Sequence, residues 1–570
     1  MTRMQRLFLG RSFLVIAFSV GILQFIVQML YVSHSWSAKW PYSWDQNRYF
    51  DYACFFRAMY ERDGWAGLIA AYGQRPAYSL ALLATSLPFL ALSRGPEILY
   101  WHMLLYVLVF DVSVARIVRH LTRSTRLSAL ALLTTHFTTQ GIFGGSSMFS
   151  TVEAVTCQVN FPVAVCVMAS LAGLIEGASS RRGWQIAAAL FLSAASGLLL
   201  RGGAMPFFAI LIFCPGAILV FGLFRFKKRK LALWASMGFA MACAIALYHY
   251  ASIYHLVVNY VRSTVSSPRW LIGSRWEAVW YYLEGAHRIS WAFVLCLALI
   301  ALFAVSRVVT GSFAKLTLGV DRWSRFRVLF VVGTVTWYLL LCYAIPTLMR
   351  TKVSGSQLAF LFLVLVAGVA CSGSAARRII RGRVVPGTYA GLFISAAIAL
   401  TIASVLREYS AFRLEQRMGM REPVEFAVRR EACEKVVEYI DAWAASHGRD
   451  FVSFGVPASI DFPNSADVGV WQYQHARHPL RVREIRIDDA PKAGKPGEER
   501  PELVFIPTGS PLVSTLTPGG LTPVDYKGLG ASLVGQGYRN TSMLDVTGGL
   551  VWEVYERDGL DAEFKGFNFP

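Results

Sequence analysis

Long apolar runs alternate with short, mostly basic breaks over the first two thirds of the chain. A bilayer core takes about twenty apolar residues per helix. Runs of that kind lie at roughly 11–32, 98–116, 127–144, 155–176, 184–200, 204–224, 231–251, 287–306, 328–346, 356–373 and 386–404, which predicts about eleven transmembrane helices. A further run, AYSLALLATSLPFLALS at 77–93, is shorter, is interrupted by Pro88 and follows Arg75-Pro76, so it reads as an interfacial or re-entrant helix. Beyond 404 the pattern changes. EFAVRREACEKVVEYIDAWAASHG has the spacing of an amphipathic helix, with Val428, Val436, Val437 and Ile440 among its apolar positions. Short β-type runs follow at 451–456, 483–487, 502–507 and 551–557, and APKAGKPGEERP between two of them reads as a loop. The predicted architecture is a polytopic α-helical membrane domain over 1–404, with outer loops 33–97 and 252–286, followed by a soluble α/β domain over 405–570.

Composition agrees: 55% of residues are hydrophobic and only 16% charged. The net charge of +20 is unevenly distributed, because residues 1–404 hold 36 of the 55 Lys and Arg but 11 of the 35 Asp and Glu. These cations sit in short breaks between apolar runs rather than on one soluble face, which excludes nucleic acid as their partner. Under the positive-inside rule they set topology. With 77–93 kept out of the span count, 23 of the 36 fall on one side and 13 on the other. The N-terminus is then cytoplasmic, the protein sits in the cytoplasmic (inner) membrane, and the 405–570 domain is periplasmic or extracellular. MTRMQRLFLGR leads into an apolar run too long for a signal peptide, so it reads as a retained first helix. All nine Cys but Cys433 precede residue 404 and none forms a CxxC or a Cys/His cluster, so neither a disulfide scaffold nor a zinc site is supported.

Carboxylates are costly near a bilayer unless they face a cavity or a partner. Of the eleven in the membrane part, Asp45, Asp51, Glu61, Asp63, Glu97, Glu153, Glu277 and Glu284 all fall on the outer side of this topology, and only Asp111 lies clearly within a span. The stretch SWDQNRYFDYACFFRAMYERDGW at 43–65 holds four of them.

That stretch also carries a resemblance. Trp44-Asp45-Gln46 with Tyr49 and Ala53 resembles the Asp-Glu motif in the first outer loop of GT-C glycosyltransferases, the polyprenyl-phosphate-sugar-dependent membrane enzymes that include protein mannosyltransferases and lipid A aminoarabinose transferases. GQRPAYSLALL at 73–83 is similar to that family's Lys-Pro-Pro-Leu segment, SGLLLRGG at 196–203 to its Leu-Thr-Lys-Gly motif, WEAVWYYLEG at 276–285 to an aromatic stretch of its later outer loop, and TKVSGSQLAFLFLVLVAG at 351–368 to its entry into a late span. The order is kept over most of 1–404. Gln46 stands where the family has Glu, Arg75 and Arg201 where it has Lys, and one Pro of the pair is missing.

The resemblance implies an inverting transferase that moves a sugar from a polyprenyl-phosphate donor to a lipid, glycan or protein acceptor on the outer face of the membrane, among membrane lipids. Such a reaction needs a base for the acceptor hydroxyl and positive charge for the departing phosphate. Asp45 is the candidate base, with a helix N-cap as its structural alternative. Asp51 either orients acceptor or metal, or pairs with Arg48 one helical turn away. Glu153 matches a second acidic position of the family, or meets a helix dipole. Arg75, Arg201, Arg350 and Lys352 are candidates for the donor phosphate, against snorkelling to headgroups. Tyr49, His255 and His287 are candidate substrate contacts. Glu61 and Asp63 read as a solvated face. A divalent cation stays open, although Gln46 removes one of the carboxylates that would bind it; no other cofactor is implied. The competing readings are a transporter or flippase of a lipid-linked sugar, which would bury charge at mid-membrane, and a catalytically inactive scaffold.

Overall fold

The computed structural model describes residues 12–23, 25–26, 44–74, 79–92, 101–138, 160–200, 205–266, 272–289, 321–350, 354–379, 424–457, 481–487, 500–508, 526–547 and 549–558, with single positions between 293 and 301 and at 468. The chain divides into two units. One comprises Met1–Ser33, Arg75–Ser86 and Tyr100–Phe412; the other His34–Gln74, Leu87–Leu99 and Arg413–Pro570.

The first unit is a helical bundle. Its helices are α1 (Ser12–Leu23), the start of α3 (Leu80–Leu90), α4 (Met103–Thr122), α5 (Thr125–Thr138), α6 (Asn160–Ser179), α7 (Gly183–Leu198), α8 (Met205–Arg225), α9 (Arg229–Ser266), α10 (Arg275–Ile289), α11 (Arg322–Met349) and α12 (Ser354–Ile379). Four helices among the described residues, within α6, α8, α9 and α11, are long and apolar enough to cross a membrane. The most buried of them is α6, packed on by α4, α7 and α12. Its sequence explains the close packing. Gly173 and Gly177 form a small-xxx-small stripe, and a Cβ at Gly173 would come within 2.7 Å of the Ala189 carbonyl of α7. Ser193 of α7 donates to the Ser170 carbonyl (2.7 Å), and the Tyr338 hydroxyl of α11 donates to Ser170 Oγ (3.0 Å).

Two helices differ from the sequence expectation. The 38-residue α9 continues from the 231–251 run into what the apolar pattern marks as the outer loop 252–286. No proline interrupts it before Pro268, and at 1.5 Å per residue it is about 57 Å long, well beyond a bilayer core. The expected 98–116 span is α4, displaced toward its C-terminus and ending at Thr122, where Arg123 takes a left-handed cap (φ 55°). Asp111 therefore sits mid-helix, and His136 of α5 lies 2.8 Å from it with both side chains fully buried. Gly21 of α1 abuts the pair; a Cβ there would come within 2.7 Å of His136 Nε2 and 2.9 Å of Asp111 Oδ2. The 11-residue α3 is about 16 Å long, half of a bilayer core. The expected span at 386–404 lies outside the described residues.

In the second unit, α2 (Trp44–Gln74) is a helix broken at Gly64, whose φ of 60° only a glycine adopts without strain. After the break the chain returns on itself, and Gly67 lies against the Met59 carbonyl with no room for a Cβ. The remainder is an α/β fold: α13 (Val424–Ser446), β1 (Phe451–Pro457), β2 (Arg481–Ile487), β3 (Leu503–Thr508), α14 (Lys527–Gly535), β4 (Tyr538–Val546) and β5 (Leu550–Arg557). The sheet order is β2-β1-β3-β5-β4, with β1 parallel to β2 and β3, and β5 antiparallel to β3 and β4. Val428, Val436, Val437 and Ile440 of α13 are all fully buried, as the amphipathic spacing predicts. Phe454, Phe505 and Trp552 fill the sheet side of the core. Glu502 is buried where β3 begins, and its carboxylate accepts from the backbone N–H of Ser453 (2.7 Å) and from Ser453 Oγ (3.3 Å), joining β1 to β3.

Candidate functional site

The bundle has two chemically different ends. At one, the α4–α5, α6–α7 and α8–α9 turns and the start of α11 come together. His120 of α4 meets Glu176 of α6 (3.2 Å), Arg327 of α11 donates to the Ser179 carbonyl (3.5 Å), and Lys228 stands over the Trp323 ring (5.2 Å). Arg116, Arg119, Arg123, Arg181, Arg182, Arg225, Lys227, Arg229, Lys230, Arg322 and Arg325 are exposed there. These described cations, all assigned by the sequence to one side, thus share one end of the bundle.

The candidate site is at the other end, where α7 stops. A helix terminus leaves its last carbonyls without intrahelical donors, and here they are met from two other parts of the chain. The Tyr250 hydroxyl of α9 donates to the Leu198 carbonyl, Ala81 N–H to the Leu199 carbonyl (3.1 Å) and Ser79 Oγ to the Leu200 carbonyl. Ser79, Leu200 and Tyr250 are buried. This junction ties the segment entered from Arg75-Pro76 to the segment that continues into Arg201, although about 120 residues separate them in sequence. No motif marks the three donors beforehand; Ser79 and Tyr250 read as an ordinary turn residue and an ordinary aromatic in a span.

No family model matches the chain, and no curated protein matches it. Solved structures similar to it include two of one protein. They are ArnT from Cupriavidus metallidurans bound to undecaprenyl phosphate (14% identity, TM-score 0.44, covering 95% of this chain and 98% of that one) and the apo state of the same protein (15% identity, TM-score 0.40, covering 89% and 93%).

Arg350 is at this same end, because α11 runs from the basic end to it. The residue caps α11 in a left-handed conformation (φ 53°) and is exposed. Its Nη1 donates to the Gly273 carbonyl (2.9 Å), and its own carbonyl accepts from Ile272 N–H (2.7 Å). Both bonds hold the approach to α10. That helix opens on a reciprocal cap, in which Ser274 Oγ accepts from Glu277 N–H (3.1 Å) and the Glu277 carboxylate accepts from Ser274 N–H (3.3 Å). Tyr282 is buried beside Ile272 and Ala278, with Tyr343 of α11 packed against them, while Trp276 and Trp280 stay exposed in an edge-to-face pair (5.7 Å). One donor of Arg350 is therefore structural. Glu277, an outer carboxylate in the sequence reading, serves as a cap.

The remaining predicted residues are distributed as follows. Asp45 and Tyr49 lie in the first turns of α2, Asp45 one residue inside its start, and His287 lies on α10. Asp51 is on α2 and only 3% exposed. Burial pushes the Cys54 thiol well above its usual range, and the Asp51 carboxylate adds to that. Glu61 pairs with Arg57 (3.0 Å) and Asp63 with Arg62 (2.8 Å) at the surface, in keeping with a solvated face. His255 is exposed on α9, between one and two turns beyond Tyr250, with its ring edge-on to Tyr254 (5.6 Å). Arg75, Glu153, Arg201 and Lys352 lie outside the described residues. Among the described residues no three His, Cys, Asp or Glu side chains gather as a metal site.

Proposed function

We propose that the chain is an inverting glycosyltransferase that takes its sugar from a polyprenyl-phosphate donor at the outer face of the membrane. The observation that carries the reading is the junction of Ser79 and Ala81 with the Leu199 and Leu200 carbonyls. It joins the two segments whose arginines, Arg75 and Arg201, the sequence assigns to the donor phosphate, at the end of the bundle away from the basic turns. In this reading the acceptor oxygen attacks the anomeric carbon as the C–O bond to phosphate breaks, the acceptor proton passes to Asp45, and polyprenyl phosphate leaves held by Arg75 and Arg201. Phosphate is a good leaving group, so no strong general acid is required. Attack opposite the departing phosphate inverts the anomeric centre, as in inverting glycosidases.

The test is transfer of radiolabelled sugar from polyprenyl-phosphate donor to acceptor by the purified chain. Asp45→Asn is expected to lower turnover by about 10² to 10⁴-fold, the usual span for loss of a general base, with thermal stability unchanged. Arg201→Gln is expected to act chiefly on donor KM. Retained turnover in Asp45→Asn removes Asp45 from the mechanism, and label that crosses a vesicle membrane without covalent transfer replaces the reading with a transporter.

A further inference from the structure

The basic end of the bundle holds a cluster that the transfer reaction does not use. Arg327, in the second turn of α11, reaches the Ser179 carbonyl at the last residue of α6 (3.5 Å). Ser179 Oγ lies 3.3 Å from His120 Nδ1 of α4. Three elements therefore meet at Ser179. The charges of Arg181, two residues past Ser179 in the α6–α7 turn, of Arg123, the left-handed cap of α4, and of the Asp321 carboxylate all act on Arg327.

The carboxylates of this end are already engaged. Glu176 is held by His120 (3.2 Å) and Arg116 (3.5 Å). Asp321 spends one oxygen on capping α11, accepting from Trp323 N–H and Ser324 N–H (3.0 Å each). Arg327 thus sits in the field of two further guanidiniums and of one carboxylate that is already partly used. Arg327 Nε is buried with no hydrogen-bond partner among the described residues. Helix C-terminal dipoles favour one cation each at the ends of α4 and α6; they do not satisfy that donor or offset three like charges. An oxyanion among the exposed guanidiniums offsets the like charges, because guanidinium forks match its geometry. Basic pockets between membrane helices on the cytoplasmic side suit phosphate headgroups.

We propose that Arg123, Arg181 and Arg327 form a site for a phosphate group, carried by an anionic lipid headgroup or free in solution. The site is separate from the donor phosphate site, since about 35 Å of α11 lies between Arg327 and Arg350.

The experiment titrates the full-length protein in detergent with cardiolipin, phosphatidylethanolamine, inorganic phosphate or pyrophosphate at constant ionic strength, reading thermal unfolding and bound lipid by native mass spectrometry. The variants are Arg123→Asn, Arg181→Gln and their double, asparagine being tolerated in the left-handed region. Arg229→Gln/Lys230→Gln at the α8–α9 turn is the matched charge control. Wild type is expected to bind saturably, and the double variant about tenfold more weakly, the size expected for lost charge-assisted hydrogen bonds; the control stays near wild type. Saturation by cardiolipin alone identifies a lipid headgroup, and saturation by phosphate or pyrophosphate as well identifies a soluble anion. Unchanged affinity in the double variant, equal weakening in the control, or no saturable binding of any probe overturns the site. Should the double variant unfold, Arg181→Gln alone, at an exposed turn, decides by the same comparison.

Discussion

At the scale of single residues, the two buried hydroxyls that hold the α7 terminus are more informative than the charged groups around them. Ser79 and Tyr250 touch no reacting atom in the proposed chemistry, yet they fix the segments that lead from Arg75 and into Arg201. Each hydrogen bond contributes about 1 kcal/mol net. Tyr250→Phe and Ser79→Ala are expected to raise donor KM several-fold with kcat nearly unchanged, as positioning residues would. A fall in kcat with unaltered KM would place these hydroxyls in the chemistry instead. The sequence could not have singled them out, since a serine and a tyrosine in apolar surroundings have no distinctive spacing. It did separate Glu61 and Asp63 from Asp45 by reading them as a solvated face, and the two lie there, paired with Arg57 and Arg62. Asp51 shows the opposite limit: nothing in FDYACFF announces a carboxylate only 3% exposed beside Cys54.

Among the elements, α10 depends most on local chemistry. It is a 15-residue helix whose start is set by the Ser274–Glu277 cap and whose approach is held by Arg350. Glu277→Ala is expected to cost about 1 kcal/mol and to increase hydrogen exchange across 275–289 before any global unfolding; unchanged exchange would mean that Tyr282 and its neighbours hold the helix unaided. The legibility of the elements follows from where their stability comes from. Helices held by apolar faces, such as α6, α7, α8 and α13, coincide with the apolar pattern to within a few residues. The ends of α4 and α9 do not, because a helix stops where backbone hydrogen bonding stops rather than where hydrophobicity does. In the sheet, β4 (YRNTSMLDV) escaped because it is an edge strand with mostly polar, partly exposed positions. The other edge, β2, was legible only from 483 onward, through Ile485 and Ile487 set beside Arg483 and Arg486, short of its full start at Arg481.

The whole molecule can be probed by pH, since its soluble part carries a displaced titration. Burial holds Tyr538 at about 12, and its hydroxyl donates to the Pro501 carbonyl (2.8 Å). In the unfolded chain the phenol ionises near 10. Below pH 10 both states are protonated and the contribution is complete; between pH 10 and 12 only the unfolded state loses its proton, so stability falls as pH rises, by on the order of 2 kcal/mol. Tyr538→Phe should flatten that decline in a denaturation series, and an equally steep decline in the variant would assign it to another group. Over the whole chain, the segregation of basic turns to one end was legible because it is a property of counts. The juxtaposition of Ser79 with Leu200 was not, because it depends on which helix end meets which. The left-handed caps carry one more consequence. Arg123, Lys227 and Arg350 are the described non-glycine residues with positive φ, and every one is a cation. Glycine at such a position relieves a conformational cost of about 1–2 kcal/mol, so a campaign to harden this protein for purification would favour glycine at Arg123 and Lys227, whereas at Arg350 the lost bond to the Gly273 carbonyl opposes the gain. A variant hardened at Arg123 would lose one of the charges proposed to meet phosphate, so melting temperature would be a misleading guide to anion binding.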